Sequence, residues 1–246
     1  MNKKDRFKFI GLDFHNYTLG EAISKLEEFI RTGTPHAVFT PTAELIVRAY
    51  EDPNLKGIYN HTDLLTIDSF VVYYAARMCR KPVKEPVSAV RLMFNFLPVA
   101  QKKGYRLYLL GAKEEIITLT VEKLKTAYPG INIIGWHNGY FDFDNPKDVI
   151  HDIQNKKPDV LFVAMSSPLK ENFITKNLEI LNIPVSIGVG GSFDIIAGKA
   201  KLAPPWISRI GFEWFYRLVQ EPGRLWRRYL VTNTKFLQLL LQELVT

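Results

Sequence analysis

Short apolar runs alternate with longer amphipathic stretches through most of the chain, and this alternation limits the possible folds more than any other feature. Strand-like runs occupy positions 37–40, 64–67, 105–110, 131–135, 160–164 and 184–187. Helical periodicity fills the intervals at 19–30, 43–50, 70–80, 87–102, 114–127, 147–155 and 169–181. Buried strands that are separated by helices form parallel sheets. We therefore expect an α/β fold, a Rossmann-like, mostly parallel sheet with helices on both faces.

The composition changes near residue 199. Positions 199–235 hold eight basic and two acidic residues, so this segment supplies +6 of the net charge of +7. Ile207, Ile210, Trp214 and Leu218 recur at helical spacing, and Pro222 should end that helix and open another. We predict an α/β domain over residues 1–198 and a basic amphipathic helical appendage over 199–246. The appendage fits either an interfacial membrane helix or an ordinary packed terminal helix.

Several classes of protein are disfavoured. The charged amino terminus does not resemble a signal peptide, and no apolar run approaches the ~18 residues that span a bilayer. A lone cysteine, Cys79, precludes an internal disulfide and suits a reducing compartment. The five histidines show no metal-ligand spacing, so we expect no metal site. The basic segment would attract a polyanion, but no recognition motif accompanies it, and we expect no nucleic-acid partner.

A glycine-rich turn follows the last strand-like run. Gly188, Gly190 and Gly191 lead into a helix that should begin at Ser192. Glycines allow a close backbone approach, and the N–H groups of a first helical turn favour an anion such as a diphosphate. Asp194 in that turn is placed to accept hydrogen bonds from a sugar or a base. The alternative is a tight strand-to-helix turn without a ligand.

Polar residues follow the other strand-like runs. In parallel sheets, ligands collect at the carboxyl ends of the strands, so these residues should share one rim. Thr42, Asp68 and Ser167 are also good helix N-caps, which is the alternative reading of each. The rim candidates are Thr40, Thr42, Glu44, Asp68, Gly111, Ser167, Lys170 and Glu171.

These motifs together resemble the WecG/TagA/CpsF glycosyltransferase family. The similarity rests on the glycine turn from Gly188 to Asp194, on Thr40-Pro41 with Ala43-Glu44, and on the residues from His137 to Phe141. It continues through 203–204, 211–217, 220–222 and 226–229, and so covers nearly the whole chain.

The resemblance implies an enzyme that moves a sugar from a UDP-sugar donor to a polyprenyl-diphosphate-linked sugar acceptor, without a cofactor or a bound metal. Family members transfer N-acetylmannosamine or its uronic acid onto undecaprenyl-diphosphate-linked N-acetylglucosamine, for teichoic acid linkage units or enterobacterial antigen. The basic appendage would meet an anionic membrane surface and close the site. The protein would then be cytoplasmic and bound peripherally to the inner face of the bacterial membrane. The resemblance is compatible with a homo-oligomer but does not determine the oligomeric state.

Carried onto this chain, the resemblance predicts roles for named residues. Asp68 would be the general base of an inverting transfer, with Thr40 and Lys170 as further catalytic residues. The predicted nucleotide-binding residues are Gly111, Gly188, Gly190, Gly191, Ser192 and Asp194. Predicted sugar and acceptor contacts are Thr42, Glu44, Arg91, Ser167 and Glu171. Predicted contacts to diphosphate or membrane are Arg217, Arg224, Arg227 and Arg228.

Five positions depart from the family pattern. Thr42 replaces an asparagine, Ser69 a glycine and Lys170 a glutamine, while Pro86 and Arg91 stand where the family has an arginine and an aspartate. The changes cluster at the presumed sugar and acceptor end of the site. They indicate an altered donor or acceptor, or alternatively a catalytically silent nucleotide-sugar-binding paralogue.

Overall fold

A computed structural model describes residues 6–220 and 222–245, except for the side chains at positions 217, 224, 225, 228 and 229. The described chain contains a six-stranded parallel sheet in the order β4-β3-β8-β7-β5-β6 and a two-stranded antiparallel hairpin. Hairpin strands are β1 (Arg6–Phe9) and β2 (Leu12–His15). The sheet strands are β3 (Ala37–Phe39), β4 (Leu64–Leu65), β5 (Leu107–Gly111), β6 (Ile133–His137), β7 (Val160–Ala164) and β8 (Val185–Gly188).

Helices cover both faces of the sheet, which confirms the expected fold class. One apolar core lies under α2, α3, α4, α7 and α8, and the other lies under α1, α5, α6 and α9. Successive residues of one strand serve opposite cores, as Tyr108 and Leu109 do. The bounds are α1 (Leu19–Thr32), α2 (Ala43–Glu51), α3 (Pro53–Asn60), α4 (Phe70–Met78), α5 (Ala89–Lys103), α6 (Glu114–Ala127), α7 (Lys147–Lys156), α8 (Leu169–Leu181) and α9 (Ser192–Ala197).

All six predicted strands are confirmed, and all seven predicted helices, with small differences at their ends. Local signals account for this success. The first helix, for example, begins with a capping box in which the Thr18 hydroxyl accepts from Glu21 N and the Glu21 carboxylate accepts from Thr18 N. Gly33 ends the same helix in the left-handed conformation.

Two elements were not predicted from the sequence. The β1–β2 hairpin turns at Ile10 and Gly11, both with positive φ, and stacks Phe7 on Phe14 with ring centroids 5.7 Å apart. Helix α3 begins at Pro53, after the Asp52 carboxylate caps its first turn. The hairpin and α3 pack together and fill the core beside β4.

The basic segment forms α10 (Pro205–Arg209), α11 (Glu213–Gln220) and α12 (Pro222–Val245). The expectation that one helix continues through Ile207, Ile210, Trp214 and Leu218 up to Pro222 is wrong, because the chain bends at Gly211, where φ is +81°. The predicted start of a new helix at Pro222 is confirmed. The carboxyl-terminal half of α12 packs on α2 and buries Phe236 and Leu240 in the main core.

Candidate functional site

The order of the strands creates a crevice beside β8. The helices that follow β3 and β7 lie on one face of the sheet, whereas α9, which follows β8, lies on the other. The chain therefore leaves neighbouring strand ends in opposite directions, and such switch points are where ligands bind in open parallel sheets.

A cavity of about 220 Å³ lies in this crevice at the carboxyl ends of β3, β4 and β8. It collects side chains from the strand exits, from the starts of α2, α4 and α5, and from the basic segment. Among the sequence-predicted residues, those that line it are Thr40, Thr42, Glu44, Asp68, Lys170, Gly188, Gly190 and Gly191.

Asp68 is held in a fixed orientation at the centre of this arrangement. Its Oδ1 accepts from the Thr40 hydroxyl at 3.2 Å and from the Ala89 amide at 3.4 Å. The same Thr40 hydroxyl accepts from Ala89 N at 3.1 Å. Ala89 is the first residue of α5, so the carboxylate lies at the positive end of that helix. Asp68 is half-buried and faces the cavity, as a general base requires.

The alternative interpretation of three candidates as helix caps is confirmed for only one of them. The Thr42 hydroxyl caps α2 by accepting from Leu45 N, and Thr42 also lines the cavity. The N-cap of α4 is Ser69 rather than Asp68, and that of α8 is Pro168 rather than Ser167. Asp68 is therefore not the N-cap of the helix that follows it, α4.

The glycine turn forms the floor of the cavity. Gly188, Gly190 and Gly191 line it, whereas Ser192 is buried and its hydroxyl donates to Val189 O at 2.6 Å. Ser192 thus closes the turn itself. Asp194 lies in the first turn of α9, outside the cavity lining, and its carbonyl accepts from three following amides.

A buried ion pair lies next to this turn. Lys170 Nζ donates to Glu171 Oε1 at 2.6 Å, and the Tyr59 hydroxyl donates to the same oxygen at 2.8 Å. Burial, reinforced by the Glu171 charge, raises the pKa of Tyr59 well above its ordinary value, so the hydroxyl stays a donor. The Lys170 stem lies against Gly188, where a Cβ would come within 3.3 Å of it. Lys170 therefore brings a positive charge to the cavity, and the buried Glu171 carboxylate pairs with that charge.

The basic segment closes one side of the cavity. Ser208 and Gly211 reach it from α10 and the following loop, Glu213 and Trp214 from α11, and Thr232 with its neighbour Asn233 from α12. The residues that line the cavity thus include three acidic ones, Glu44, Asp68 and Glu213, together with Lys170.

Other predicted site residues lie away from the cavity. Gly111, at the end of β5, packs on β7, where a Cβ would stand 2.3 Å from Ala164 O. Arg91 donates to Pro86 O. Ser167 O accepts from an arginine side chain at 3.0 Å.

The predicted arginines are placed only in part. Arg227 lies over the ring of the neighbouring Trp226, with its guanidinium carbon 5.1 Å from the centroid. The side chains of Arg217, Arg224 and Arg228 lie outside the described residues.

Sequence reasoning missed several residues of the site. The Ala89 amide carries no side-chain signal, and Tyr59 lies on α3, which was not predicted. Glu213 and Trp214 fall within the motif at 211–217 that supports the family resemblance, and this motif was the one available signal for them. Asn233 has no distinguishing pattern around it.

Two further properties concern metals and membranes. In the portion of the chain that the structure describes, no three His, Cys, Asp or Glu side chains come together as a metal-binding group. None of the described helices combines the length and the apolar character needed to cross a membrane.

Comparison with known proteins agrees with this architecture. The model of the glycosyl transferase WecG/TagA/CpsF family matches residues 7–246. Proteins of Bacillus subtilis and Bacillus spizizenii are each 31% identical to this chain, over 94% and 89% of it and over 90% and 84% of their own lengths. A Staphylococcus aureus protein is 28% identical over 89% of this chain and 86% of its own length. All three are named N-acetylglucosaminyldiphosphoundecaprenol N-acetyl-beta-D-mannosaminyltransferase.

Proposed function

The chain belongs to the WecG/TagA/CpsF glycosyltransferase family, and we propose that it transfers N-acetylmannosamine, or a close variant, from a UDP-sugar to undecaprenyl-diphosphate-linked N-acetylglucosamine. The observation that carries the proposal is the Asp68 carboxylate, oriented by Thr40 and Ala89 inside the cavity at the switch point. The names of the relatives supply the acceptor and the sugar.

The proposed chemistry is a single inverting displacement. The acceptor hydroxyl attacks C1 of the donor sugar, the bond from C1 to the diphosphate oxygen breaks, and Asp68 takes the hydroxyl proton. A positioned general base contributes about 10²- to 10⁴-fold. Because Thr40 and Ala89 both hold Oδ1, the carboxylate does not need to reorient during the reaction.

The leaving UDP requires positive charge, and we assign that role to protein groups rather than to a metal. Lys170 is buried beside the glycine turn and has one of its three donors engaged by Glu171. Backbone N–H groups at Gly190 and Gly191 and arginines of α12 would complete the diphosphate site. Thr42 and Glu44, which also line the cavity, would bind sugar hydroxyls.

We place the enzyme on the cytoplasmic face of the membrane, with residues 199–246 as its contact to anionic lipid. Basic side chains in this segment alternate with exposed apolar ones, an arrangement typical of interfacial helices. The exposed apolar residues on α10, α11 and the intervening loop include Trp206, Ile210, Phe212, Phe215 and Val219.

The membrane proposal calls for point substitutions, because deleting the segment would remove Phe236 and Leu240 from the core. The double variant Trp206→Glu, Phe215→Glu should sediment with anionic vesicles at least about tenfold less than the wild type. The control double variant Tyr50→Glu, Ile180→Glu, on α2 and α8, adds the same two charges at comparably exposed apolar sites and should bind vesicles normally. Unchanged vesicle binding by the double variant would refute the membrane role.

The experiment that tests the activity measures UDP release from a panel of UDP-sugars in EDTA, with and without prenyl-diphosphate-linked N-acetylglucosamine. We expect release that depends on both UDP-N-acetylmannosamine and the acceptor. Release that requires an added divalent cation would contradict the metal-independent mechanism and leave the transferase assignment intact.

A second candidate is a silent nucleotide-sugar-binding paralogue. It is favoured by two departures from the family pattern, since Lys170 is engaged with Glu171 and Arg91 lies outside the cavity. It predicts UDP binding without transfer to any acceptor.

A further inference from the structure

The end of α10 and the loop that follows it contact helix α4. The Tyr74 hydroxyl donates to Arg209 O at 2.7 Å. Gly211 lies against Val71, where a Cβ would come within 3.4 Å of the valine Cγ2, and its positive φ turns the chain back towards the cavity. After Phe212 the chain enters α11, whose first two residues, Glu213 and Trp214, also line the wall of the cavity.

This wall is adjacent to the proposed general base. Helix α4 begins two residues after Asp68, and its first turn lines the cavity together with the α10–α11 loop. A general base must lie within about 3 Å of the proton that it removes. The sugar that carries the attacking hydroxyl therefore lies at Asp68, between the start of α4 and the loop. That sugar is the acceptor, whereas the donor diphosphate lies towards the glycine turn.

The side chains at the start of α11, Glu213 and Trp214, suit a hexosamine ring. The flat apolar face of an indole packs well on the C–H face of a pyranose, and a carboxylate accepts hydrogen bonds from hydroxyl or acetamido groups. Trp214 is half-buried, and its ring packs against Phe212 and Phe215 at centroid distances of 6.3 and 5.8 Å, so its plane is restrained. Asn233 of α12 adds an amide to the same cavity.

We propose that Glu213 and Trp214 bind the acceptor sugar and determine which lipid-linked sugar the enzyme accepts. This inference rests on the transferase function proposed above. The basic segment then has two roles. Its exposed apolar residues contact the membrane that contains the lipid chain, and Trp214 binds the sugar attached to that lipid.

Another tryptophan of the basic segment, Trp206, provides a matched control. Trp206 lies on α10 and is 65% exposed, and it does not line the cavity. A substitution there removes the same side chain from the same surface segment without touching the acceptor site. Trp206→Ala therefore separates loss of sugar binding from loss of membrane contact.

The test is steady-state kinetics with a water-soluble, short-chain prenyl-diphosphate N-acetylglucosamine, so that membrane binding does not enter. Trp214→Ala should raise the acceptor KM by about tenfold or more, and Trp214→Phe by only about threefold, because phenylalanine keeps part of the aromatic face. The donor KM and the UDP Kd should stay within about twofold of the wild type. Trp206→Ala should leave all three constants unchanged.

Glu213→Gln gives a specificity readout that a merely structural role would not move. An acceptor that carries glucose instead of N-acetylglucosamine lacks the acetamido donor. The ratio of kcat/KM for the N-acetylglucosamine acceptor to kcat/KM for the glucose acceptor should therefore fall by about threefold or more in this variant.

The proposal is overturned if Trp214→Ala leaves the acceptor KM unchanged, or raises the donor KM and the UDP Kd as strongly. If the wild type transfers to no acceptor, the proposed function fails. Binding of the short-chain acceptor, measured by tryptophan fluorescence, then tests the inference separately. The short-chain acceptor should quench tryptophan fluorescence in the wild type and not in Trp214→Phe. Equal quenching in both proteins, or none in the wild type, would refute the assignment.

Discussion

Replacing Asp68 with asparagine tests the proposed reaction most directly. Asparagine has the same shape, and its Oδ1 can accept the same two hydrogen bonds from Thr40 and Ala89. The substitution therefore removes the charge and the basicity without removing the contacts that orient the group. We expect thermal stability and UDP affinity close to those of the wild type.

The expected loss of rate follows from the role of the base. General base catalysis contributes about 10²- to 10⁴-fold, which corresponds to about 2.7–5.5 kcal/mol of activation free energy. Single-turnover measurement of UDP release at saturating donor and acceptor isolates the chemical step from product release. Isothermal titration with UDP shows whether the donor site is intact.

Asp63→Asn is the matched control. The Asp63 carboxylate also accepts a backbone N–H, from Ala37 at 2.9 Å, but it precedes β4 and thus lies at the amino end of the sheet. This variant should retain the wild-type rate. A rate for Asp68→Asn within about threefold of the wild type would refute the assignment of Asp68 as the base, and a parallel loss of UDP binding would show that the substitution damages the donor site instead.

Three further predictions concern stability. Burial lowers the pKa of His15 to about 4, so between pH 6.5 and 4 the unfolded chain binds a proton that the folded chain excludes. The free energy of unfolding should therefore fall by up to about 3 kcal/mol as the pH drops from 6.5 towards 4. Urea unfolding at several pH values should show this pH dependence reduced in His15→Asn and retained in the exposed control His151→Asn. Gly111→Ala should cost about 3 kcal/mol in urea unfolding, since its Cβ would meet a strand carbonyl, whereas Gly130→Ala, with open space around it, should cost about 1 kcal/mol; equal costs would refute the packing argument. Lys170→Met leaves its buried carboxylate partner without a cation and should cost about 3–5 kcal/mol by thermal or urea unfolding, and a neutral effect would show that the ion pair is not structurally required.

The regular elements of the sheet were predictable because their signals are local. Strand β7 and helix α8 occupy the predicted residues without any change of bounds. A continuous apolar run and an amphipathic repeat each carry their information within a few residues, and caps such as Thr42 mark the ends.

The β1–β2 hairpin shows where local signals become too weak. Its strands have four residues each, and its turn places Ile10, rather than an asparagine or glycine, at a positive φ. A two-stranded hairpin is marginal by itself and gains its stability from burying Phe9 and Phe14 against the rest of the core. That burial depends on partners distant in sequence.

The sequence by itself determined the α/β class, the strand exits and the glycine turn, because these depend on short-range periodicity and backbone freedom. Only the tertiary structure decided which exits share a cavity, since strand order brings Thr40, Asp68 and Lys170 together and leaves Gly111 outside the cavity lining. It also decided the direction of the basic segment. The apolar stripe of that segment is typical of one continuous helix, but packing of Gly211 on α4 bends the chain and brings Trp214 to the site. Long-range packing free energy, which no local pattern encodes, selects both arrangements.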